Sequence, residues 1–252
     1  MADTLAGCGV CYRRQGRSVL NGVDLKLCQG DLVSLLGANG AGKTTLLRLL
    51  LGFEAPHGGE VRLNGAAMAG QNRRRIARAV AYVPQAHAAP FPYRVDEVVA
   101  LGRLPRSGLF GPPSQHDRAL VAATLERLGI AHLATRPYTA LSGGERQLAL
   151  IARALAQEAR LLIMDEPLSG LDYGNQIRLL DQLGRLAADG FGILMTTHHP
   201  DHAANCSTRV AVLIDGRIER DGPPAEVVTI DTIHRLYGVR VPQDRLRFRL
   251  AP

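Results

Sequence analysis

The 252-residue sequence predicts an α/β fold: a parallel sheet with helices on both faces, an N-terminal antiparallel β subdomain and an inserted α-helical subdomain. Three observations carry this. Short, wholly apolar runs alternate with helical stretches over residues 31–83 and 143–214, the pattern of strands buried on both faces and linked by crossover helices. Residues 1 to about 30 instead alternate apolar and polar side chains, as half-exposed antiparallel strands do. Between residues 86 and 139 the texture changes to helical pieces punctuated by proline.

In order along the chain, Leu5 to Tyr12 reads as a strand, with turn material at Arg14-Gln15-Gly16-Arg17 and again at Cys28-Gln29-Gly30. Asp31 to Leu36 is a buried strand and Thr45 to Leu51 a buried helix. Val61-Arg62-Leu63 before Asn64-Gly65 is a hairpin edge, because Asn-Gly supplies the left-handed residues of a two-residue turn. Ile76 to Val83 gives a helix and then a strand. Pro90, Pro92, Pro105, Pro112 and Pro113 break the next segment around helices at Val95 to Leu101 and Asp117 to Leu128. From Gly143 a helix runs to about Gln157, followed by a strand Arg160 to Met164, a helix Gly174 to Ala188, and strands Gly192 to Thr196 and Arg209 to Ile214. Asp215-Gly216 turns another hairpin, Ala225 to Tyr237 reads as short helices, and Arg245 to Leu250 as a small edge strand or a loose tail. No internal repeat is visible. The expected organisation is a single domain, 1–252, with residues 1–85 and 140–252 as core and β subdomain and 86–139 as the helical subdomain.

A hydrophobic content of 46% is ample for a folded core. The formal charge of +7 permits nucleic-acid or anionic-membrane contact, but the arginines are spread along the chain. Their densest run, Arg73-Arg74-Arg75, reads as a solvated helical face, and no nucleic-acid partner is expected. No segment approaches the ~20 apolar residues of a bilayer span, and the first residues lack the basic and apolar regions of a secretory signal, so a cytoplasmic location is expected. Cys8, Cys11, Cys28 and Cys206 are too scattered for a disulfide scaffold, and Cys8-x-x-Cys11 has no second pair to complete a tetrahedral metal site. In His198-His199-Pro200-Asp201-His202, Pro200 spoils a helical ligand face, so zinc is not expected there either.

The chemistry is concentrated in Gly37-Ala38-Asn39-Gly40-Ala41-Gly42-Lys43-Thr44, which has the form GxxxxGK[ST] between a predicted strand and a predicted helix. That context marks a P-loop, and hence a P-loop NTPase core that binds a nucleoside triphosphate. Gly37, Gly40 and Gly42 let backbone N–H groups turn inward and approach phosphate oxygens closely. The following helix adds its free N–H groups and positive dipole end. Lys43 is placed to reach the β- and γ-phosphates, and the Thr44 hydroxyl to join the shell of a Mg2+ ion; Asn39, Ala41 and Thr45 complete the cradle.

Leu161-Leu162-Ile163-Met164-Asp165-Glu166 is an apolar strand ending in two acids. With a P-loop upstream, Asp165 is expected to hold the metal through water, and Glu166 to accept a proton from the water that attacks the γ-phosphate. Leu141-Ser142-Gly143-Gly144-Glu145-Arg146-Gln147 precedes an apolar-faced helix. Ser142 can be its N-cap with Glu145 as the capping-box partner, and the same geometry offers a hydroxyl, glycine N–H groups and a helix N-terminus to an anion.

A P-loop, LSGGERQ, an apolar strand ending in Asp-Glu, Ser169-Gly170-Leu171-Asp172, and a histidine after the next strand together resemble the ATP-binding cassette (ABC) ATPases, whose core is RecA-like. The resemblance covers nearly the whole chain. It implies that Ser142, Gly143 and Gly144 contact the γ-phosphate of an ATP held by a second copy, so that two chains sandwich two ATPs head to tail. It also implies an aspartate at Asp172 that communicates across the dimer, a switch histidine at His198, and a glutamine at Gln85 that senses Mg2+ and attacking water. His199, one residue on, makes the histidine depend on register. Family members stack adenine on an aromatic at the position of Arg14; here either Tyr12 or the Arg14 guanidinium is available. The family's Glu-Pro-Thr is Glu166-Pro167-Leu168, and Gly170 replaces its alanine; neither change removes a catalytic group.

Within that family, residues 85–109 and Leu171-Asp172-Tyr173-Gly174-Asn175-Gln176 look like ATPase subunits of bacterial importers for ferric siderophores, haem, cobalamin or related metal chelates. This implies transmembrane permease subunits, a periplasmic or lipoprotein substrate-binding protein, and residence at the cytoplasmic face of the membrane, with Ala89 to Arg94 as a docking surface. A non-transport ABC ATPase working on nucleic acid or in assembly, and an exporter ATPase, are the alternatives.

Overall fold

The computed structural model describes residues 3–85, 91–107 and 113–239. In chain order, β1 (Thr4–Arg14) and β2 (Arg17–Cys28) precede β3 (Leu32–Leu36), α1 (Lys43–Leu50), β4 (Gly58–Leu63), β5 (Ala66–Ala67), α2 (Arg73–Ala79) and β6 (Val80–Val83). A helical stretch follows: α3 (Val95–Ala100), α4 (Leu104–Ser107) and α5 (Gln115–Arg127). The chain then runs through α6 (Gly143–Ala156), β7 (Leu161–Met164), α7 (Tyr173–Ala188), β8 (Gly192–Thr197), α8 (Pro200–Cys206), β9 (Arg209–Ile214), β10 (Arg217–Gly222), α9 (Pro224–Val227) and α10 (Ile230–Tyr237).

The strands form two sheets. One is antiparallel, in the order β2-β1-β4-β5; the other has six strands in the order β10-β9-β3-β8-β7-β6 and is parallel except for β10. The parallel strands are apolar throughout because both faces are covered. Leu162, Met164, Ile193 and Met195 point into a core shared with α3, α5, α6 and α7, whereas Val33, Leu35, Ile163 and Leu194 point into a second core with α1 and the antiparallel sheet. Leu36, Val210 and Val212 contribute to a smaller third core with Ala203 of α8, Val227 of α9 and Leu236 of α10. The Gln15-Gly16, Asn64-Gly65 and Asp215-Gly216 turns all have positive φ at both residues, which is why these pairs close two-residue hairpins.

The helical stretch is fastened to the core by one buried cation. Arg103, 5% exposed, donates from Nε to Asp117 Oδ1 at 2.7 Å and from Nη1 to the Ala156 carbonyl and Glu158 Oε2, each at 2.7 Å. Beside it a Cβ on Gly102 would lie 2.1 Å from the Arg153 carbonyl, so only glycine allows this close approach to α6.

Differences from the sequence reading have local causes. That reading places no helix between Thr196 and Arg209, yet α8 occupies Pro200–Cys206. Pro200 stands in its first turn, where a missing N–H costs no hydrogen bond. The β1–β2 ladder carries three register shifts, with the extra residue on β1 between Gly7 and Val10 but on β2 opposite Val10 to Arg13, so β1 alternates regularly from Tyr12 to Arg14 and both side chains approach Glu54. All four cysteines are free thiols, and the Cys11 sulfur accepts the Gly22 N–H at 3.1 Å. The proposed tail strand Arg245 to Leu250 lies outside the described residues.

Candidate functional site

The carboxyl ends of β3, β8, β7 and β6, which are neighbours in that order, deliver the predicted groups to one edge of the sheet. The loop after β3 is held to the sheet by Gly37 N–H donating to the Thr197 carbonyl at 3.3 Å. A Cβ at Gly37 would lie 2.9 Å from the Leu213 carbonyl. Gly42 combines a φ of +103° with atoms of Val19 and Leu20 at 3.0–3.3 Å from a Cβ, so both positions require glycine. The helix then starts at Lys43, two residues earlier than its apolar run suggests, because Gly42 serves as a left-handed cap. Lys43 is 6% exposed; its Nζ donates to the carbonyls of Gly37 at 2.7 Å and Ala38 at 3.1 Å and lies 3.7 Å from Glu166 Oε1. Burial lowers its pKa, and the Glu166 and Asp165 carboxylates oppose that shift.

Beyond the last residue of β7, Asp165 is buried and Glu166 half-buried. Thr196, 1% exposed, serves both: its hydroxyl donates to Asp165 Oδ1 at 2.7 Å and accepts the Glu166 N–H at 2.8 Å. Glu166 Oε2 accepts a hydrogen bond from Gln85 Nε2 at 3.2 Å. Its Oε1 lies 3.2 Å from His198 Nδ1, in contact but without hydrogen-bond alignment. A cavity of about 120 Å³ opens here, lined by Glu166, Gly170, Gln176, Thr197, His198 and His199. His198 rather than His199 faces the carboxylate; His199 packs its ring between those of His198 and His202, at 4.1 and 4.8 Å. Sequence reasoning missed Thr196 and Thr197. The signal was two consecutive threonines closing an otherwise apolar strand.

The donors fit a Mg2+ ion bound with a triphosphate. Asp165 Oδ2 has no hydrogen-bond partner among the described residues, Thr44 is exposed, and both offer the hard oxygen that this ion prefers.

Ser142–Gly144 stand apart. Ser142 caps α6: its Oγ accepts the Glu145 N–H at 3.3 Å, and Glu145 Oε2 accepts the Ser142 N–H at 2.7 Å, a bond that lowers the glutamate pKa. The cap uses the hydroxyl as acceptor and leaves its proton free to donate. Asp172 caps α7, accepting the Asn175 N–H at 2.9 Å and Asn175 Nδ2 at 2.6 Å, which lowers its own pKa. A Cβ on Gly144 would lie 3.2 Å from Asn175 Nδ2, so the two caps adjoin. No hydrogen bond or ion pair among the described residues joins Ser142, Gly143, Gly144 or Asp172 to the phosphate loop.

Tyr12 packs its ring against His57, 4.9 Å between centroids, and Glu54 nearby raises its phenol pKa. Arg14 is exposed, with Nη2 3.7 Å from Glu54 Oε1. Of the docking stretch, Phe91 and Tyr93 are 60% and 50% exposed; Ala89 and Pro90 lie outside the described residues.

The family model described as "ABC transporter" matches residues 20–169. The hemin import ATP-binding protein HmuV of Bordetella bronchiseptica is 42% identical over 94% of this chain and 92% of its own length. The cobalamin import ATP-binding protein BtuD of Halobacterium salinarum is 38% identical over 94% of this chain and 60% of its own. A solved inward-facing structure of a metal-chelate type ABC transporter matches with a TM-score of 0.84 at 32% identity, covering 94% of this chain and 90% of that one. Among the described residues, no helix is long and apolar enough to cross a membrane.

Proposed function

The chain belongs to the ABC transporter family as an ATP-binding, ATP-hydrolysing subunit, and from that premise we propose that it powers bacterial import of a metal-chelate substrate such as haem, cobalamin or a ferric siderophore. One observation carries the catalytic part: Lys43, Gln85 and His198 all approach the Glu166 carboxylate, from the ends of three other strands. The import part is supported by likeness to the hemin and cobalamin import proteins and to the metal-chelate transporter structure.

On this reading residues 37–45 hold the triphosphate, with Lys43 on its outer phosphates. Thr44, Asp165 and Gln85 hold the Mg2+ ion, which neutralises charge on phosphate oxygens when bound. Glu166 takes the proton of the attacking water, His198 contacts the γ-phosphate, and Tyr12 or Arg14 meets the base. Ser142, Gly143 and Gly144 complete the site of a second copy, and Asp172 lies at the same seam. The helical segment 86–139 receives the permease beside Phe91 and Tyr93, at the cytoplasmic face of the membrane. A substrate-binding protein delivers cargo on the far side. ATP closes the dimer and pushes the permease to a new state; hydrolysis resets it.

Co-purification tests the assignment. A stable complex with a many-helix permease, and loss of haem, cobalamin or ferric-chelate uptake in a knockout, are the expected results. Permease-free nucleic-acid binding that falls steeply with salt would overturn it.

A further inference from the structure

We propose that Tyr237, at the end of α10, is a positioning residue that sets the switch histidine for hydrolysis by holding its peptide. The inference rests on the reading of His198 as the group that contacts the γ-phosphate. The Tyr237 hydroxyl donates to the His198 carbonyl at 2.6 Å across 39 residues of sequence. That carbonyl lies in the gap between two regular elements. The Thr197 carbonyl before it accepts Gly37 N–H, and the His199 carbonyl after it accepts Ala203 N–H inside α8. His198 O has no other partner among the described residues, because β8 has ended and the helix ladder begins one residue later. The other end of the same peptide, the His199 N–H, donates to Thr197 Oγ1 at 3.0 Å, so Tyr237 is the second of two holds on it. Without Tyr237 the carbonyl side loses its anchor, and His198 Nδ1 shifts from its place 3.2 Å from Glu166 Oε1.

The donor itself is presented by a fixed element. Thr229 caps α10 by accepting the Thr232 N–H, and Ile233 and Leu236 are buried beneath it. Two ion pairs, Arg235 to Glu219 at 2.6 Å and Arg220 to Asp231 at 2.8 Å, clamp the helix to β10. Burial, reinforced by Asp201, pushes the Tyr237 pKa up to about 12, so the phenol keeps its proton and remains a donor across the physiological range. The arrangement gives the small C-terminal core, which contributes no group to the phosphate cradle, a direct hold on the timing of hydrolysis.

The test is a double-mutant cycle on the ATPase activity of the full chain, at concentrations where the rate per chain no longer rises. Tyr237→Phe keeps the ring and removes only the donor. Its kcat is expected to fall about three- to tenfold, the scale of one net hydrogen bond, with KM for ATP unchanged and Tm lowered by no more than about 2–4 °C. On a His198→Ala background the same substitution should have no further effect. An unchanged kcat in Tyr237→Phe, a full additive loss in the double variant, or a fall in kcat that only tracks a lowered Tm overturns the proposal. His198→Ala hydrolysing ATP at the parental rate overturns the reading of His198 itself, and the proposal with it. A large loss in His198→Ala beside an unaffected Tyr237→Phe overturns only the role of Tyr237.

Discussion

Glu166 adopts a left-handed backbone, φ 44°, which costs a side-chain-bearing residue roughly 1–3 kcal/mol, and its N–H is received by the Thr196 hydroxyl. Strain held by a buried threonine aims the carboxylate at Gln85, Lys43 and His198. Glu166→Gln preserves that shape but cannot accept a proton; it should retain ATP binding, lose about 100-fold or more in kcat, and run as a closed dimer with ATP in size-exclusion chromatography. Hydrolysis at the parental rate would remove Glu166 from the role of base. Thr196→Val leaves Asp165 Oδ1 and the Glu166 N–H unpaired, so a stability loss of about 1–3 kcal/mol by urea titration should accompany a lower kcat. Lys43→Ala should weaken ATP binding at least tenfold in a direct titration, because it deletes a buried cation aimed at the phosphates. Lys43, Asp165 and Glu166 were legible because glycine-rich spacing and paired acids follow from the chemistry of phosphate. Thr196 was not: a threonine ending an apolar strand looks the same whether it faces a carboxylate or water.

Among elements, the N-terminus of α6 has a cap built on Ser142 and, on the proposed reading, a second and separable role toward the ATP of another copy. Ser142→Asn keeps a capping oxygen but loses the hydroxyl, so it should hold Tm while lowering ATPase activity. A fall in Tm that matches the activity loss would make Ser142 a cap only. At the other end of α6, Arg103 and the hydroxyls of Ser114 and Ser107 hold the Asp117 carboxyl well below the usual carboxylate range. Such a group binds fewer protons folded than unfolded near pH 4, so its stabilisation is complete above about pH 4 and drains away as the pH falls toward its lowered folded pKa. Asp117→Asn breaks a buried pair and should cost about 3 kcal/mol near neutrality, with a flatter loss of stability than the parent between pH 4 and pH 2.5 in denaturant titrations. Elements with strong periodicity, such as α7 and β3, were legible to within two residues. Helix α8 was not, because proline marks a helix start as readily as a helix break, and only packing against β3 and α9 decides between them.

At the scale of the whole molecule, the two halves of the proposed site share no hydrogen bond or ion pair within one chain among the described residues. Mixing Lys43→Ala chains with Ser142→Asn chains should therefore restore ATPase activity above that of either alone, since each mixed dimer contains one intact pairing of cradle and signature. No recovery on mixing would place both halves within one chain. The division into two sheets and a helical insertion was legible from changes of period, whereas the three separate cores became visible only once each strand face was assigned. Glu166 and the groups that converge on it come from the ends of β7, β3, β8 and β6, strands locked side by side by continuous backbone ladders. Adjacent strands lie ~4.8 Å apart, so these four ends are graduations on a scale ~14 Å long. Its divisions are set by peptide hydrogen bonds, which do not depend on side-chain identity. Substitutions in the outer layers can thus retune what docks on the protein without recalibrating the distances that hydrolysis requires.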